Sequence, residues 1–247
     1  MYSKFIYPYF NFLFFTLLIS LIYIFKLNLL FVNLFLPLLS ILLMYLFSNT
    51  GNKFIHQFAL NITAFCFILS ILMFLLVDKG QLAFFDYQFS IFLIPSLNFD
   101  ILLGIDGISL SFVLLTNLFI YLCILSIPTY QVKLYEILMY LFLLQWSVLS
   151  AFSVLDLFGF FIFFETTLIP IYFIVLIWGS RERKIRASYM ISIYTLFGSI
   201  FMLFNIIYLY SKIGLTNYLY LLTLDFTKAD QKFLWITFFI SFAAKIP

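Results

Sequence analysis

The sequence predicts an all-α polytopic membrane protein with a small outer β-hairpin, and three observations lead there. First, 66% of its residues are hydrophobic, 9% are charged and the mean hydropathy is +1.18, whereas soluble domains carry about 25% charged residues. A chain of 247 residues with this composition holds more apolar material than one water-soluble core could bury. Second, the apolar residues fall into runs of about 20 residues, the length that crosses roughly 30 Å of hydrocarbon. Third, short polar connections separate these runs, with no soluble domain, low-complexity linker or internal repeat.

The runs lie at 8–25, 29–47, 54–77, 108–127, 134–153, 157–178 and 187–211, and another begins at 233, which gives seven to eight transmembrane helices. Only Lys26 to Asn28 separate the first two. The stretch 78–107 differs in kind. Tyr87, Phe89 and Ile91 alternate with Gln88 and Ser90, the period of a half-buried strand. Pro95 to Asn98 supplies turn chemistry, and Phe99 to Ile105 returns as a second strand. Asp106 then stands before the next helix, placed to cap its exposed amides.

Composition also excludes functions. A net charge of +3 supports no nucleic-acid reading. Cys66 and Cys123 sit in apolar runs without CxxC spacing, and the chain lacks nucleotide, flavin, haem and iron–sulfur motifs. Gly104 and Gly107 read as turn residues and not as a phosphate loop. The sole histidine, His56, stands at a helix edge and receives no function. No cleavable signal is expected, because the first apolar run lacks a basic leader. The 37 Phe and 17 Tyr against 8 Gly follow AT-rich codons, which points to an organelle gene.

Sidedness comes from the basic residues. The string SRERKIRA carries Arg181, Arg183, Lys184 and Arg186, and short basic loops stay on the inner, negative side. Lys4, Lys53 and Lys133 then share that side, opposite Lys26, Lys79, Lys212, Lys228 and Lys232 and most of the acids. Topology alone accounts for the string. Contact with a partner subunit or with anionic lipid is the sharper alternative.

Two ionisable residues lie inside apolar runs. Glu165, in GFFIFFETTLIPIYFIV, is about nine residues into its run, roughly 13 Å deep. A charged acid at the bilayer centre costs about 2.5–3.5 kcal/mol on insertion scales. Lys245 lies about twelve residues past Phe233, at a matching depth. Each precedes a proline, Pro170 or Pro247, which frees a carbonyl four residues back, that of Thr166 or Ala243. Such irregularities line hydrated paths enclosed by protein. A structural hydrogen bond at Glu165 and a snorkelling Lys245 are the plainer readings. A coupled acid–amine pair is what a proton relay requires. Asp156 is a candidate support for it, though a helix N-terminal acid is the simpler account.

LLGIDGISLSF at 102–112, LDLFGFFIFFETTLIPIYFIVLIWGSRERKIRASY at 155–189, YTLFGS at 194–199 and FFISFAAKIP at 238–247 resemble the chain 4 family of mitochondrial NADH:ubiquinone oxidoreductase, respiratory complex I. The resemblance is strong from about 100 onward and thin over 27–99. It implies a proton-translocating, antiporter-like subunit of inverted helical repeats in the mitochondrial inner membrane, with the basic loop facing the matrix. It places the family's intramembrane glutamate on Glu165 and its broken-helix lysine on Lys245; Asp156 and Thr166 remain candidate supports read from the sequence alone. FMN, iron–sulfur clusters and ubiquinone are then expected in partner subunits, and no cofactor in this chain. The implied partners are other complex I membrane subunits and membrane lipid. The family continues into a second repeat with its own lysine. Because the last apolar run is too short to span alone, a separate C-terminal polypeptide carrying that repeat is expected, an ordinary continuation of the chain being the plainer reading. Read as domains, 1–26 is an extra N-terminal span and 27–107 a helical hairpin with the outer loop. The remainder, 108–247, is a first antiporter-like repeat ending inside a broken helix. A stand-alone cation/proton antiporter and a structural subunit without transport are the rival readings.

Overall fold

The computed structural model describes residues 29–46, 51–76, 87–94 and 99–246. Helices α1 (Leu29–Leu46) and α2 (Asn52–Leu76) precede paired strands β1 (Tyr87–Ile94) and β2 (Phe99–Ile105). Then come α3 (Gly107–Ser126), α4 (Leu134–Ser153), α5 (Leu157–Thr166), α6 (Leu168–Trp178) and α7 (Lys184–Ile213), followed by α8 (Tyr218–Leu221) and α9 (Lys228–Ala243). Among the described residues, six helical segments are long and apolar enough to cross a membrane, with α5 and α6 forming one 22-residue span. The chain is a multi-pass membrane protein.

The apolar runs and the helices coincide to within a few residues, and the deviations have local causes. The 187–211 run becomes a helix from Lys184, so Lys184 and Arg186 belong to a first helical turn and not to a loop. The run expected from Phe233 starts at Lys228, because Thr227 Oγ1 accepts from Asp230 N and adds a polar turn below the apolar residues. At 16 residues, α9 is shorter than a full span. The expected span 8–25, the Pro95–Asn98 turn, Lys4, Lys26, Asp78, Lys79, Asp86 and Pro247 lie outside the described residues.

The chain divides into two compact bodies. The first holds α1, α2, α3 and α4 as far as Leu149. Its order starts at α2, where Ala59, Cys66 and Met73 are fully buried at a spacing of seven, flanked by Ile62, Thr63, Leu69 and Ser70. That spacing makes a narrow seam against which α3 and α1 pack. The buried hydroxyls stay within their helices: Thr63 Oγ1 donates to Ala59 O (3.0 Å) and Ser70 Oγ to Phe67 O (2.7 Å).

Across this seam runs a chain of neutral amides. Gln145 Nε2 donates to Asn117 Oδ1 at 2.8 Å, and Asn117 Nδ2 donates to Asn33 Oδ1 and Cys66 O, each at 3.2 Å. Asn33, Asn117 and Gln145 come from α1, α3 and α4, and all are at most 1% exposed. In hydrocarbon, polar groups must find partners inside the protein, so these amides fix which faces of the helices meet. His56 Nε2 lies 3.1 Å from Ile124 O, tying the start of α2 to the end of α3. Asp106 begins α3 with a reciprocal capping box, Oδ1 accepting from Ser109 N at 2.7 Å while its own amide donates to Ser109 Oγ at 2.8 Å.

The second body holds residues 88–104 and 150–246. The 154–156 linker crosses between β2 and the 216–218 segment: Leu155 N donates to Leu102 O and Tyr218 N to Leu155 O, both at 2.8 Å. Asp156 locks this crossing. Its Oδ2 accepts from Gly159 N (2.9 Å) and its Oδ1 from Thr216 Oγ1 (2.5 Å), with the residue 5% exposed. Both α6 and α9 pack against α7.

Gln145→Leu should destabilise the first body by about 1–3 kcal/mol, because it leaves Asn117 Oδ1 buried without a donor. A lower thermal unfolding midpoint of the detergent-solubilised protein is expected; an unchanged midpoint would mean that the amide chain does not hold the helices.

Candidate functional site

The site begins with the interruption at Thr167. Pro170 cannot donate to the carbonyl four residues back, and a single residue divides α5 from α6. Thr167 keeps helical dihedrals (φ −61°, ψ −25°), so the break is a loss of hydrogen bonds and not a hinge. Hydroxyls fill in: Thr166 Oγ1 donates to Ile162 O at 2.7 Å and Thr167 Oγ1 to Phe164 O at 2.8 Å. Thr166 thus supports the helix from within.

Lys245 reaches this point from the turn after α9, where Lys245 N donates to Phe242 O (3.0 Å) and Ile246 N to Ala243 O (3.3 Å). Its Nζ stands 3.0 Å from Glu165 Oε1 and donates to Phe164 O at 3.1 Å. Both side chains of the pair are 16% exposed. The structure brings Glu165 and Lys245 together, and the carbonyl that accepts from the ammonium is that of Phe164. In a regular helix its partner would be the amide of Leu168, next to the break.

Nζ also lies 3.2 Å from the Phe164 ring centroid. That ring stacks on Phe160 at 5.2 Å and meets Phe242 edge-on at 6.1 Å, so the ammonium is held in an aromatic corner. Cation–π attraction of this kind contributes about 2 kcal/mol when desolvated. The ammonium approaches Oε1 off hydrogen-bonding geometry, and among the described residues neither Glu165 oxygen accepts a hydrogen bond. We therefore read the contact as a charge pair, with the directed bond going to the carbonyl. Glu165 also borders a cleft of about 550 Å³ between the α5–α6 span and α7, with Tyr172 and Tyr189 among its walls.

Close helix approach makes the corner. A Cβ added to Gly198 of α7 would overlap Ala244 Cβ, next to Lys245. Phe164, Gly198 and Ala244 were not singled out from sequence. The phenylalanine periodicity 160–164 on one side and 238–242 on the other was the available signal.

The remaining predicted residues fall elsewhere. Asp156 is occupied by its cap and by Thr216. Lys184 Nζ donates to Ile177 O at 2.7 Å, closing the end of α6, whereas Arg181, Arg183 and Arg186 are exposed. At the far end of α7, Asp230 accepts from Lys212 Nζ (2.6 Å), Tyr208 OH (2.5 Å) and Thr227 Oγ1 (2.7 Å). Asp230 stands outside the apolar run, and these donors, Lys212 first, hold its carboxyl well below the usual carboxylate range. Its contribution to stability is present above the unfolded carboxylate range and is lost only in strong acid.

Gly198→Ala should destabilise the α7–α9 contact by about 1–3 kcal/mol through overpacking, and Ala244→Gly should restore the unfolding midpoint. Failure of the second change to rescue the first would show that this close approach does not position Lys245.

Residues 154–247 match the model of the NADH:quinone oxidoreductase/Mrp antiporter transmembrane family. Over 212 residues the chain is 41% identical to NADH-ubiquinone oxidoreductase chain 4 of Chondrus crispus, covering 85% of this chain and 43% of that relative. It is 38% identical to the chain 4 of Marchantia polymorpha over 214 residues, covering 86% and 43%. In fold it is similar to a chain of respiratory complex I from Thermus thermophilus with bound NADH, at TM-score 0.72 and 23% identity, covering 87% of this chain and 43% of that one. The chain thus spans less than half the length of these relatives. Residues 154–247 thus match the NADH:quinone oxidoreductase/Mrp antiporter transmembrane family, and the chain is similar to the N-terminal part of the chain 4 relatives.

Proposed function

We propose that this chain is a proton-translocating membrane-arm subunit of mitochondrial NADH:ubiquinone oxidoreductase, an organelle-encoded component of the inner membrane. Within this reading it supplies the first part of one antiporter-like channel. The observation that carries the reading is Lys245 Nζ at 3.0 Å from Glu165 Oε1 beside an interrupted helix. Chain 4 relatives at 38–41% identity support it.

Glu165 and Lys245 hold each other's charge. In this reading the approach and withdrawal of Lys245 couple its charge to proton exchange at Glu165. In the paired position Lys245 Nζ also donates to the Phe164 carbonyl and lies over its ring, so Glu165 is not the only group that holds the ammonium. Thr166 and the helix break adjoin Glu165, and Asp156 caps the start of its helix. Protons pass through water between the helices.

Electron transfer belongs to partners in this reading. FMN, iron–sulfur clusters and ubiquinone sit in other complex I subunits. No group of three or more metal-ligating His, Cys, Asp or Glu occurs among the described residues. A further stretch of polypeptide supplies the second repeat and its lysine. In mass spectra of the purified complex, a peptide crossing Pro247 identifies it as a continuation; a native C-terminus at Pro247 identifies a separate C-terminal polypeptide. The family model's Mrp antiporter members favour a second reading, a stand-alone cation/proton antiporter. Co-purification with flavin and iron–sulfur subunits supports the first, and their absence the second.

Glu165→Gln keeps the shape of the side chain but cannot ionise. We expect an assembled complex whose proton pumping falls by at least about tenfold, as for loss of a proton-transfer group, with slowed quinone reduction. Glu165→Asp should retain part of both. Pumping at the unaltered proton-to-electron ratio in the Gln variant would remove Glu165 from the path. Cysteines placed at 181–186 should react with impermeant reagents from the matrix only, and labelling from the other side would reverse the topology.

A further inference from the structure

The cleft beside Glu165 lies between α6 and the first half of α7, the helix that begins at the basic string. Its α7 wall is the stripe Tyr189, Ser192 and Leu196, and Arg186 stands at the head of that stripe, one turn before Tyr189. From Arg186 to Leu196 the stripe covers roughly 15 Å along the helix. The opposite wall is one face of α6, made by Leu168, Ile169, Tyr172 and Phe173. Nearest the basic residues, the Tyr172 and Tyr189 rings on the two walls meet edge-on at 5.7 Å. The cleft is thus a largely apolar slot of about 550 Å³, with Glu165 at one end and Tyr189, one turn from Arg186, at the other.

The cations at its head are available. Arg181, Arg183 and Arg186 are exposed, and among the described residues they make no ion pair, although Glu182 stands between two of them. Lys184 is already engaged with Ile177 O. Guanidinium forks match phosphate oxygens in pairs, and basic sites between membrane helices at the headgroup level hold acidic lipids. A zwitterionic headgroup carries its own cation and would leave these charges uncompensated.

We infer that an acidic phospholipid binds here, its phosphate held by Arg181, Arg183 and Arg186 and one acyl chain lying in the α6–α7 cleft toward Glu165. The hydrocarbon seals the lateral side of the slot, so that Glu165 faces Lys245 without access from the bilayer. This binding does not depend on the proton-transfer role of Glu165.

The test uses the intact complex in detergent with phosphatidylglycerol carrying a photoactivatable diazirine on one acyl chain, against phosphatidylcholine with the same chain. Cross-linked peptides are mapped by mass spectrometry. The glycerol lipid should label residues 168–173 and 189–196 at least severalfold more than the choline lipid, and excess unlabelled phosphatidylglycerol should compete. The triple variant R181Q/R183Q/R186Q should fall to the choline-lipid level; if it does not assemble, R186Q alone should show a partial loss. Equal labelling by the two lipids would overturn the headgroup assignment, as would unchanged labelling in the variants. Unlabelled cleft peptides in the unaltered complex would show that polypeptide fills the slot and would also overturn the inference.

Discussion

A carboxylate inside hydrocarbon must have a partner, and the contact of Lys245 Nζ with Glu165 Oε1 at 3.0 Å supplies it. Much of the second body can be understood from that requirement. The two charges come from segments 80 residues apart, so α9 must return to the middle of the α5–α6 span. Gly198 lets Ala244 approach α7 closely enough for this, and the Asp230 cluster pins the other end of α9 to α7. Truncating one partner of a buried pair is severe, because the remaining charge stays uncompensated. The pair is accordingly a structural demand as well as the proposed chemical device.

The first body meets the same constraint without charge. Asn33, Asn117 and Gln145 are linked by hydrogen bonds across three helices, and serine and threonine hydroxyls return to their own backbones. Neutral amides carry no charge, so this network holds geometry, whereas the second body holds the acid–amine pair to which proton transfer is assigned in the proposed function. The division is consistent with a rigid scaffold in one body and a responsive site in the other.

Much of this was legible in the sequence. Apolar run lengths located the helices, because a bilayer imposes a length that a soluble core does not. The pattern at 87–105 gave both strands, and Asp106 gave its cap, because strand alternation and capping are local signals. Glu165 and Lys245 stood out as ionisable residues where none should be. The Phe164 carbonyl and ring did not, since a backbone acceptor has no sequence signature and one phenylalanine among 37 attracts no notice. The amide chain was missed for a different reason. Asn117 and Gln145 are polar residues in apolar runs, a visible signal, but attention to ionisable groups alone passes over them. Lys184 shows the limit of charge patterns, for one of four cations in the basic string serves a helix end.

The central claim is that Glu165 changes protonation during turnover while Lys245 governs it. Infrared difference spectroscopy of the complex in membranes, comparing resting and turning-over enzyme, measures this directly. The account predicts a protonated-carboxyl stretching band that appears on turnover, shifts with isotopically labelled glutamate, disappears in Glu165→Gln and is already present at rest in Lys245→Met. A band unaffected by Glu165→Gln, or a Glu165 carboxylate that stays ionised throughout turnover, would contradict it.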